Sequence, residues 1–345
     1  MKKILVTGGG GYIGSHTIVD LINSDFEVVS IDNLSRCDGS AFDGIKLITK
    51  KSIKNYKVDI CDFNALKRVF KEEGDINGVI HFAAYKSVPE SINRPLDYYY
   101  NNINSLINIL ECCELYSVSR FVFSSSCSVY GNVESSPVSE NTELGPIECP
   151  YAYTKQIGEQ LLSDFSKISK TKCIALRYFN PVGAHESHKI GEVPFGPPGN
   201  LFPIVMEVAH KQRAELIIHG NDYNTRDGSC IRDFIHVMDI ADAHTKALKF
   251  LNQAKKKDGL EIINLGTGNG ISIMEVIECF NKTIGFPLAH KKGPRRAGDI
   301  PMIFANNKKA KEKLNWIPKR SLEQMIYSAY HWTKNCLNTK INDEN

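Results

Sequence analysis

Through the first half of the chain, short apolar runs alternate with stretches whose apolar positions recur at helical spacing. The runs at 3–7, 27–31, 56–59, 78–82, 121–124 and 173–176 are four or five residues long and read as buried strands. The helical stretches fall at 13–23, 63–70, 101–116 and 152–169, and Asp62 precedes the second as a cap candidate. Strands buried on both faces and separated by helices predict an α/β fold, a doubly wound parallel sheet. Beyond Asn180 the texture changes. Residues 181–200 carry repeated Gly and Pro with His185 and His188, which is loop chemistry and a candidate lobe boundary. The pattern then predicts a helix at 201–210, a strand at 216–219, a helix at 240–251, a strand at 262–265 and a helix opening at Ser272, which can form a capping box with Glu275. The tail after Asn335 is polar and is expected to fray.

The first run breaks into glycine. In ILVTGGGGYIGSH a strand ends, Gly8, Gly11 and Gly14 turn the chain, and Ile13, Ile18, Val19 and Leu21 begin a helix. One glycine permits the tight turn, one lets backbone N–H groups approach phosphates, and one lets helix and strand pack closely, while the helix N-terminus stabilises negative charge. The second strand ends in Asp32, where a carboxylate accepts hydrogen bonds from ribose hydroxyls and repels a 2′-phosphate. Residues 1–180, with returns near 235–265, therefore read as a Rossmann domain that binds NAD in preference to NADP. Residues 181–345 read as a smaller C-terminal α/β lobe for the substrate.

Composition narrows the partners. A chain of 345 residues has room for two lobes, since single cores stop growing near ~250–300 residues. The formal charge of +3 gives no reason to expect nucleic acid or a membrane surface. Ten cysteines are scattered without a CxxC pair, only Cys112 and Cys113 being adjacent, which implies reduced thiols, no metal site and a cytoplasmic chain. Three apolar residues stand between the opening Met-Lys-Lys and the first glycines, too few for a signal segment. No segment approaches the ~18 apolar residues of a membrane span.

The run FVFSSS delivers Ser126 to the C-terminal end of a strand, the edge where open α/β sheets bind ligands. Downstream, Tyr151 and Lys155 are four residues apart, so on a helix they share a face about 5–6 Å apart at Cβ. A phenol with a pKa near ~10 is a poor base at neutral pH, but an ammonium one turn away and an oxidised nicotinamide ring both favour the phenolate. The lysine can also hold the nicotinamide ribose, and a serine hydroxyl beside the phenol can relay a proton or hold a substrate oxygen.

Spread over nearly the whole chain, TGGGGYIGSH, HFAAYKSV, FSSSCSVYG, PYAYTK, LRYFNPVGAH, IRDFIHVMD and RRAGD resemble the extended short-chain dehydrogenase/reductase family, and within it the 4-epimerases of UDP-hexoses. The resemblance implies that a bound NAD+ takes a hydride from C4 of the hexose, that the 4-keto sugar rotates, and that the hydride returns to the other face. It makes Tyr151 the base, Lys155 its electrostatic partner and ribose ligand, and Ser126 the hydroxyl beside the reacting oxygen. NAD would be touched by the glycine turn with Tyr12 and Ile13, and by Asp32, Asn33, Asp59, Ile60, Phe82, Ala83, Ala84, Lys86, Asn101, Tyr178 and Phe179, besides Tyr151 and Lys155. The UDP-sugar would be held by Asn180, Asn200, Leu201, Ile217, Ile218, His219, Arg232, Arg296 and Asp299, with Ile303 at the hexose pocket. A homodimer with a four-helix seam is also implied. Leu106, Leu110 and Leu162 suit that seam or, equally, the core.

Three other readings share parts of this pattern. Nucleotide-sugar 4,6-dehydratases commonly carry Asp-Glu directly after the strand-end hydroxyl, where this chain has Cys127 and Ser128. A plain alcohol dehydrogenase leaves Arg232 and Arg296 without a diphosphate to bind, and a non-catalytic NAD sensor does not need an intact Ser126, Tyr151 and Lys155. Bacterial relatives carry a bulky Tyr where Ile303 stands, so the smaller residue leaves room for an N-acetyl group and for UDP-GlcNAc or UDP-GalNAc. Arg36, just after Asp32, is the one residue that softens the preference against NADP. His81 and His236 read as structural, and Asp233 and Asp239 as turn and cap residues.

Overall fold

The computed structural model of the chain describes residues 2–133, 135–254, 259–296 and 299–343, with side chains through 338. The first half runs β1 (Lys3–Thr7), α1 (Tyr12–Asn23), β2 (Glu27–Ile31), α2 (Ser40–Thr49), β3 (Lys54–Tyr56), α3 (Phe63–Glu73), β4 (Ile76–His81), α4 (Val88–Asn93), α5 (Pro95–Leu115), β5 (Arg120–Ser126), α6 (Pro150–Ile168) and β6 (Lys172–Tyr178). It continues with β7 (Asn180–Val182), α7 (Leu201–Ala209), β8 (Leu216–His219), β9 (Ile231–Arg232), β10 (Phe234–His236), α8 (Val237–Gln253) and β11 (Glu261–Leu265). The C-terminal part adds β12 (Ile271–Ser272), α9 (Ile273–Ile284), β13 (His290–Gly293), β14 (Met302–Ile303), α10 (Lys308–Leu314) and α11 (Leu322–Asp343).

Seven strands form one sheet in the order β11-β6-β5-β4-β1-β2-β3, and every pairing in it is parallel. The order reverses direction beside β1, which opens the crevice at the strand ends that α/β sheets use for dinucleotides. One face is packed by Ile18 and Val19 of α1 with Ile240, Ala243 and Leu248 of α8, and Thr245 donates to the Asp20 carboxylate at 2.5 Å across that pair. The other face is packed by Leu66 and Val69 of α3, Leu106, Ile109 and Leu110 of α5 and Leu162 of α6. Leu106, Leu110 and Leu162 are thus core residues and not an outer seam.

Helices α2 and α10 join the first of these faces through Ile45, Ala310 and Leu314, while α7, β8, β10, α9 and α11 build a smaller lobe in which Phe202, Val205, Phe234, Val276, Phe280, Met325 and Ile326 share a separate core. Ser272 caps α9 with the reciprocal Glu275 bond expected from the sequence, and the Asp62 side chain accepts from the Ala65 N–H. The third strand lies at Lys54–Tyr56, a few residues before the apolar run suggested. Helices α2, α4, α10 and α11 add to those that the hydrophobic pattern predicts. Helix α11 continues past Asn335 to Asp343, and its first half docks into the lobe core through Met325, Ile326 and Ala329. Among the described residues no helix is long and apolar enough to cross a membrane.

Candidate active site

The glycine turn connects β1 to α1. Gly8 has φ +71° and lies so close to the next crossover that a Cβ would sit 2.9 Å from the Ala83 nitrogen, while a Cβ at Gly14 would sit 2.2 Å from the Gly8 carbonyl oxygen. Both positions therefore demand glycine, and Gly11 adds the 3.1 Å N–H bond to the Gly8 carbonyl that closes the turn. Helix α1 has no side-chain cap and no acidic residue in its first turn, so the N–H groups at Tyr12 and Ile13 are left for an outside anion. Asp32 points back at the turn, accepting from the Gly10 N–H at 3.0 Å and the Leu34 N–H at 2.9 Å. A glycine cradle, an uncapped helix and a carboxylate beside them fit NAD, the diphosphate at the helix and the ribose at Asp32.

Around this turn the other predicted coenzyme residues sort by what they already hold. Ala83 donates its N–H to the Thr7 hydroxyl at 3.2 Å, and Thr7 in turn meets the buried His81 ring at 2.9 Å. The Phe82 ring lies 4.6 Å from His244, Ile60 is in the core, and Phe179 belongs to a small apolar cluster with Tyr130 and Ile303. Asn33 and Asp59 each cap their own loop through a backbone N–H, and Asn101 donates to Asn102. Ala84 follows in the same loop, half-buried. The Tyr12 hydroxyl donates to the Gly183 carbonyl at 2.5 Å, tying the turn to the second lobe. Lys86 pairs with Glu192 of that lobe at 3.1 Å. Arg36 does not face the ribose edge as a free cation: Glu90 holds its guanidinium bidentately and the Tyr85 and Phe195 rings stack on it.

The reacting groups meet at the ends of β5 and β6. Ser126 pairs with Tyr178 in the sheet register, caps the short turn that follows it by accepting from the Ser128 N–H, and lies beside Tyr151. On α6, Tyr151 and Lys155 share the inward face. Lys155 is 5% exposed and donates to the Ser124 carbonyl at 2.7 Å, while the Ser124 and Tyr178 hydroxyls bond one another. Helix α6 reaches this depth because of Gly158, where a Cβ would meet the Phe123 ring at 2.6 Å.

The electrostatics correct one expectation. Lys155 Nζ lies 6.0 Å from the Tyr151 ring centroid and does not itself pull the phenol down. Burial pushes Tyr151 up to about 12, opposed by the Ser126 hydroxyl beside it. Burial likewise pulls Lys155 down to about 8, opposed by the Glu159 carboxylate one turn further along α6. With groups of the chain alone the phenol stays protonated at neutral pH, and an oxidised coenzyme bound beside it would add positive charge that favours the phenolate. Glu159 and its partner Arg177 were absent from the sequence reading. The signal available was a third inward position at helical spacing after Tyr151 and Lys155, occupied by a charge.

On the substrate side, Arg232 of β9 donates to the Ile300 carbonyl at 2.6 Å and lies 3.8 Å from Asp299, which also pairs with Arg296 at 2.8 Å. Ala297 and Gly298 of the RRAGD segment lie outside the described residues. Helix α7 begins after Asn200 with no side-chain cap and no acid in its first turn, so Asn200 and Leu201 present a second uncapped N-terminus to an anion. Asn180 donates its side-chain amide to the Asp233 carbonyl at 2.9 Å. In β8, Ile217 and His219 face outward while Ile218 is buried in the lobe core, so only its main chain can meet a ligand. Ile303 is 6% exposed, in the cluster that Cys127 packs against. The four other residues noted in the sequence are structural: His81 bonds Thr7, His236 caps α8, and Asp233 and Asp239 accept several backbone N–H groups each.

A family model described as GDP-mannose 4,6 dehydratase matches residues 5–329. A UDP-glucose 4-epimerase of Bacillus subtilis (strain 168) is 45% identical over 97% of this chain and 98% of its own length, and one of Haemophilus influenzae is 43% identical over 96% and 97%. Among solved structures, the UDP-glucose 4-epimerase of Stenotrophomonas maltophila with bound NAD and formylated UDP-arabinopyranose superposes with a TM-score of 0.94 at 39% identity, covering 98% of this chain and 100% of that one. The Bifidobacterium longum UDP-glucose 4-epimerase in complex with NAD+ and UDP superposes at 0.92, also at 39% identity, covering 98% and 99%. The broad family model includes dehydratases, but Cys127 and Ser128 stand where those carry an acid and a base, and the full-length relatives are epimerases. On both grounds the chain belongs to the UDP-glucose 4-epimerase family.

Proposed function

We propose that this protein interconverts UDP-glucose and UDP-galactose by inverting C4 through a transient 4-ketone, with Tyr151 as the base. NAD+ held by the glycine turn and Asp32 supplies a reversible hydride acceptor at that carbon. The Tyr151 oxygen takes the proton of the C4 hydroxyl and later returns it, and the Ser126 hydroxyl bonds the same oxygen. Lys155, anchored on the Ser124 carbonyl, keeps further N–H donors for the nicotinamide ribose. Arg232 and Arg296 hold the diphosphate, since guanidinium forks grip phosphate oxygens, so the hexose can turn without escaping. The observation that carries the reading is the meeting of Ser126, Tyr151 and Lys155 at the sheet edge, with Cys127 and Ser128 and no carboxylate directly behind Ser126. The test is an NMR time course of UDP-galactose with purified protein and no added NADH. Appearance of UDP-glucose is expected, and a 4-keto-6-deoxy product or no product refutes the reading.

The smaller side chain at Ile303 supports a wider substrate range that includes UDP-GlcNAc and UDP-GalNAc, and a structural relative at TM-score 0.84 and 37% identity is the UDP-Glc/GlcNAc 4-epimerase of Campylobacter jejuni. UDP-GalNAc added to the same assay is expected to give UDP-GlcNAc. A dividing line near Asn180, with 235–265 returning to the first domain, assigns the coenzyme to one lobe and UDP to the other. A homodimer is favoured by Leu96, Tyr100 and Ile107 of α5 and Tyr153 of α6, large side chains left exposed on adjacent helices. Buried thiols at Cys112, Cys113 and Cys173 suit a reducing cytoplasm.

A further inference from the structure

Beneath the reacting groups lies an ion pair with no contact to coenzyme or sugar assigned to it. Glu159, 6% exposed, accepts from the Ser125 hydroxyl at 2.5 Å and from the Arg177 guanidinium at 2.9 and 2.6 Å. Arg177, 4% exposed, stands opposite Ser125 and Asn264 in the sheet and lies 4.9 Å over the Tyr130 ring. Three consecutive residues of the strand end are thereby held: Ser124 by Lys155, Ser125 by Glu159, and Ser126 by its own turn. Lys155 and Glu159 are successive turns of one helix face, so the lysine shares its dry surroundings with a carboxylate whose charge is already divided with an arginine.

We propose that Glu159, gripped by Arg177, is the positioning residue of this catalytic unit: it ties Ser125 of the strand end to α6 and supplies the buried negative charge on the helix face that carries Lys155. The inference rests on the functional reading above. Around Lys155 the titratable and charged groups are Tyr151 and Glu159 on α6, His81 on β4 and Tyr178 on β6, with Arg177 behind Glu159. Of these, Glu159 alone is an anion. Glu159 is paired with Arg177 and lies one helical turn from Lys155, so removing the carboxylate or the guanidinium changes the charge near Lys155 in opposite senses.

The test is a titration of the NAD-loaded protein with 13Cε-labelled lysine, the Lys155 signal being the one missing in Lys155→Met, run beside a pH profile of kcat/KM for UDP-galactose. Glu159→Gln leaves Arg177 uncompensated and is expected to lower the Lys155 midpoint by about one pH unit or more, moving the alkaline limb of the profile with it. Arg177→Met leaves the carboxylate to Lys155 alone and is expected to raise both. The double variant Glu159→Gln/Arg177→Met keeps the net charge and is expected to lie between the two. If either single variant fails to fold, the other and the double variant carry the test. A midpoint unmoved in a folded single variant, with only the rate scaled down, overturns the proposal. Loss of UDP-galactose turnover in the unaltered protein would instead overturn the reading on which it rests.

Discussion

On the coenzyme side of the cleft several groups sit at the end of a sheet strand or in the first turns of a helix, tied to the sheet beside them. Gly8, Asp32, Ala83 and Lys155 all bond backbone or hydroxyl groups of the strands that carry them or adjoin them. On the substrate side Arg232, Arg296 and Asp299 come from segments distant in sequence and satisfy one another. Arg232 is 19% exposed at its side chain and Arg296 is 54% exposed. The first side is held by the sheet itself. The second holds its positive charge against its own aspartate, so a diphosphate bound there as proposed would exchange one anion for another. A fixed chemical centre beside an exchangeable grip suits a reaction in which the sugar must turn while its nucleotide stays.

Substitutions on the two sides should separate cleanly. The largest effect is expected for Tyr151→Phe, which removes the proton acceptor and should cost about two to four decades in kcat, with NAD content by absorbance unchanged. Near-normal turnover would break the assignment of the coenzyme side. Arg232→Ala should raise the Kd for UDP in calorimetry by about ten- to a hundredfold while NAD stays bound, and Arg296→Ala should do less because its guanidinium is more exposed. Equal losses of NAD and UDP would abolish the distinction. Gly158→Ala places a methyl 2.6 Å from the Phe123 ring and should cost about 1–3 kcal/mol in urea unfolding, with kcat falling and KM little changed because α6 is pushed off β5.

The smallest effect sharpens where acid acts. Burial pulls His16, His81 and His236 down to about 3 and His244 to about 4. Their neutral forms are favoured on folding, so this stability is fully present above the unfolded value near ~6.5 and is lost as pH falls below it. A Tm lower at pH 5 than at pH 7.5 is expected, with a shallower decline in His81→Gln.

Much of the coenzyme side was legible because its requirements are local. A strand, a glycine turn and a helix follow one another in thirteen residues, and Tyr151 and Lys155 share one helix face by spacing alone. What the sequence left open or did not show has physical causes. Leu106, Leu110 and Leu162 sit at apolar positions that fit either a core or a subunit seam, and only packing against the sheet assigned them to the core. Helix α11 is too polar to announce itself and is held by docking. Arg36 softens the preference against NADP only if it is free to face the ribose, and Glu90, far along the chain, holds its guanidinium.

The sequence by itself determined the parallel sheet, the NAD-type turn and the shared helix face of Tyr151 and Lys155, since each depends on the period of a single segment or on a conformation that only glycine adopts. Tertiary structure decided the protonation states and the pairing of charges. Burial raises Tyr151 and lowers Lys155, and Arg177 reaches Glu159 from a neighbouring strand. Those energies depend on how much water is excluded and on which charges lie within a few ångströms, and neither can be read along a chain.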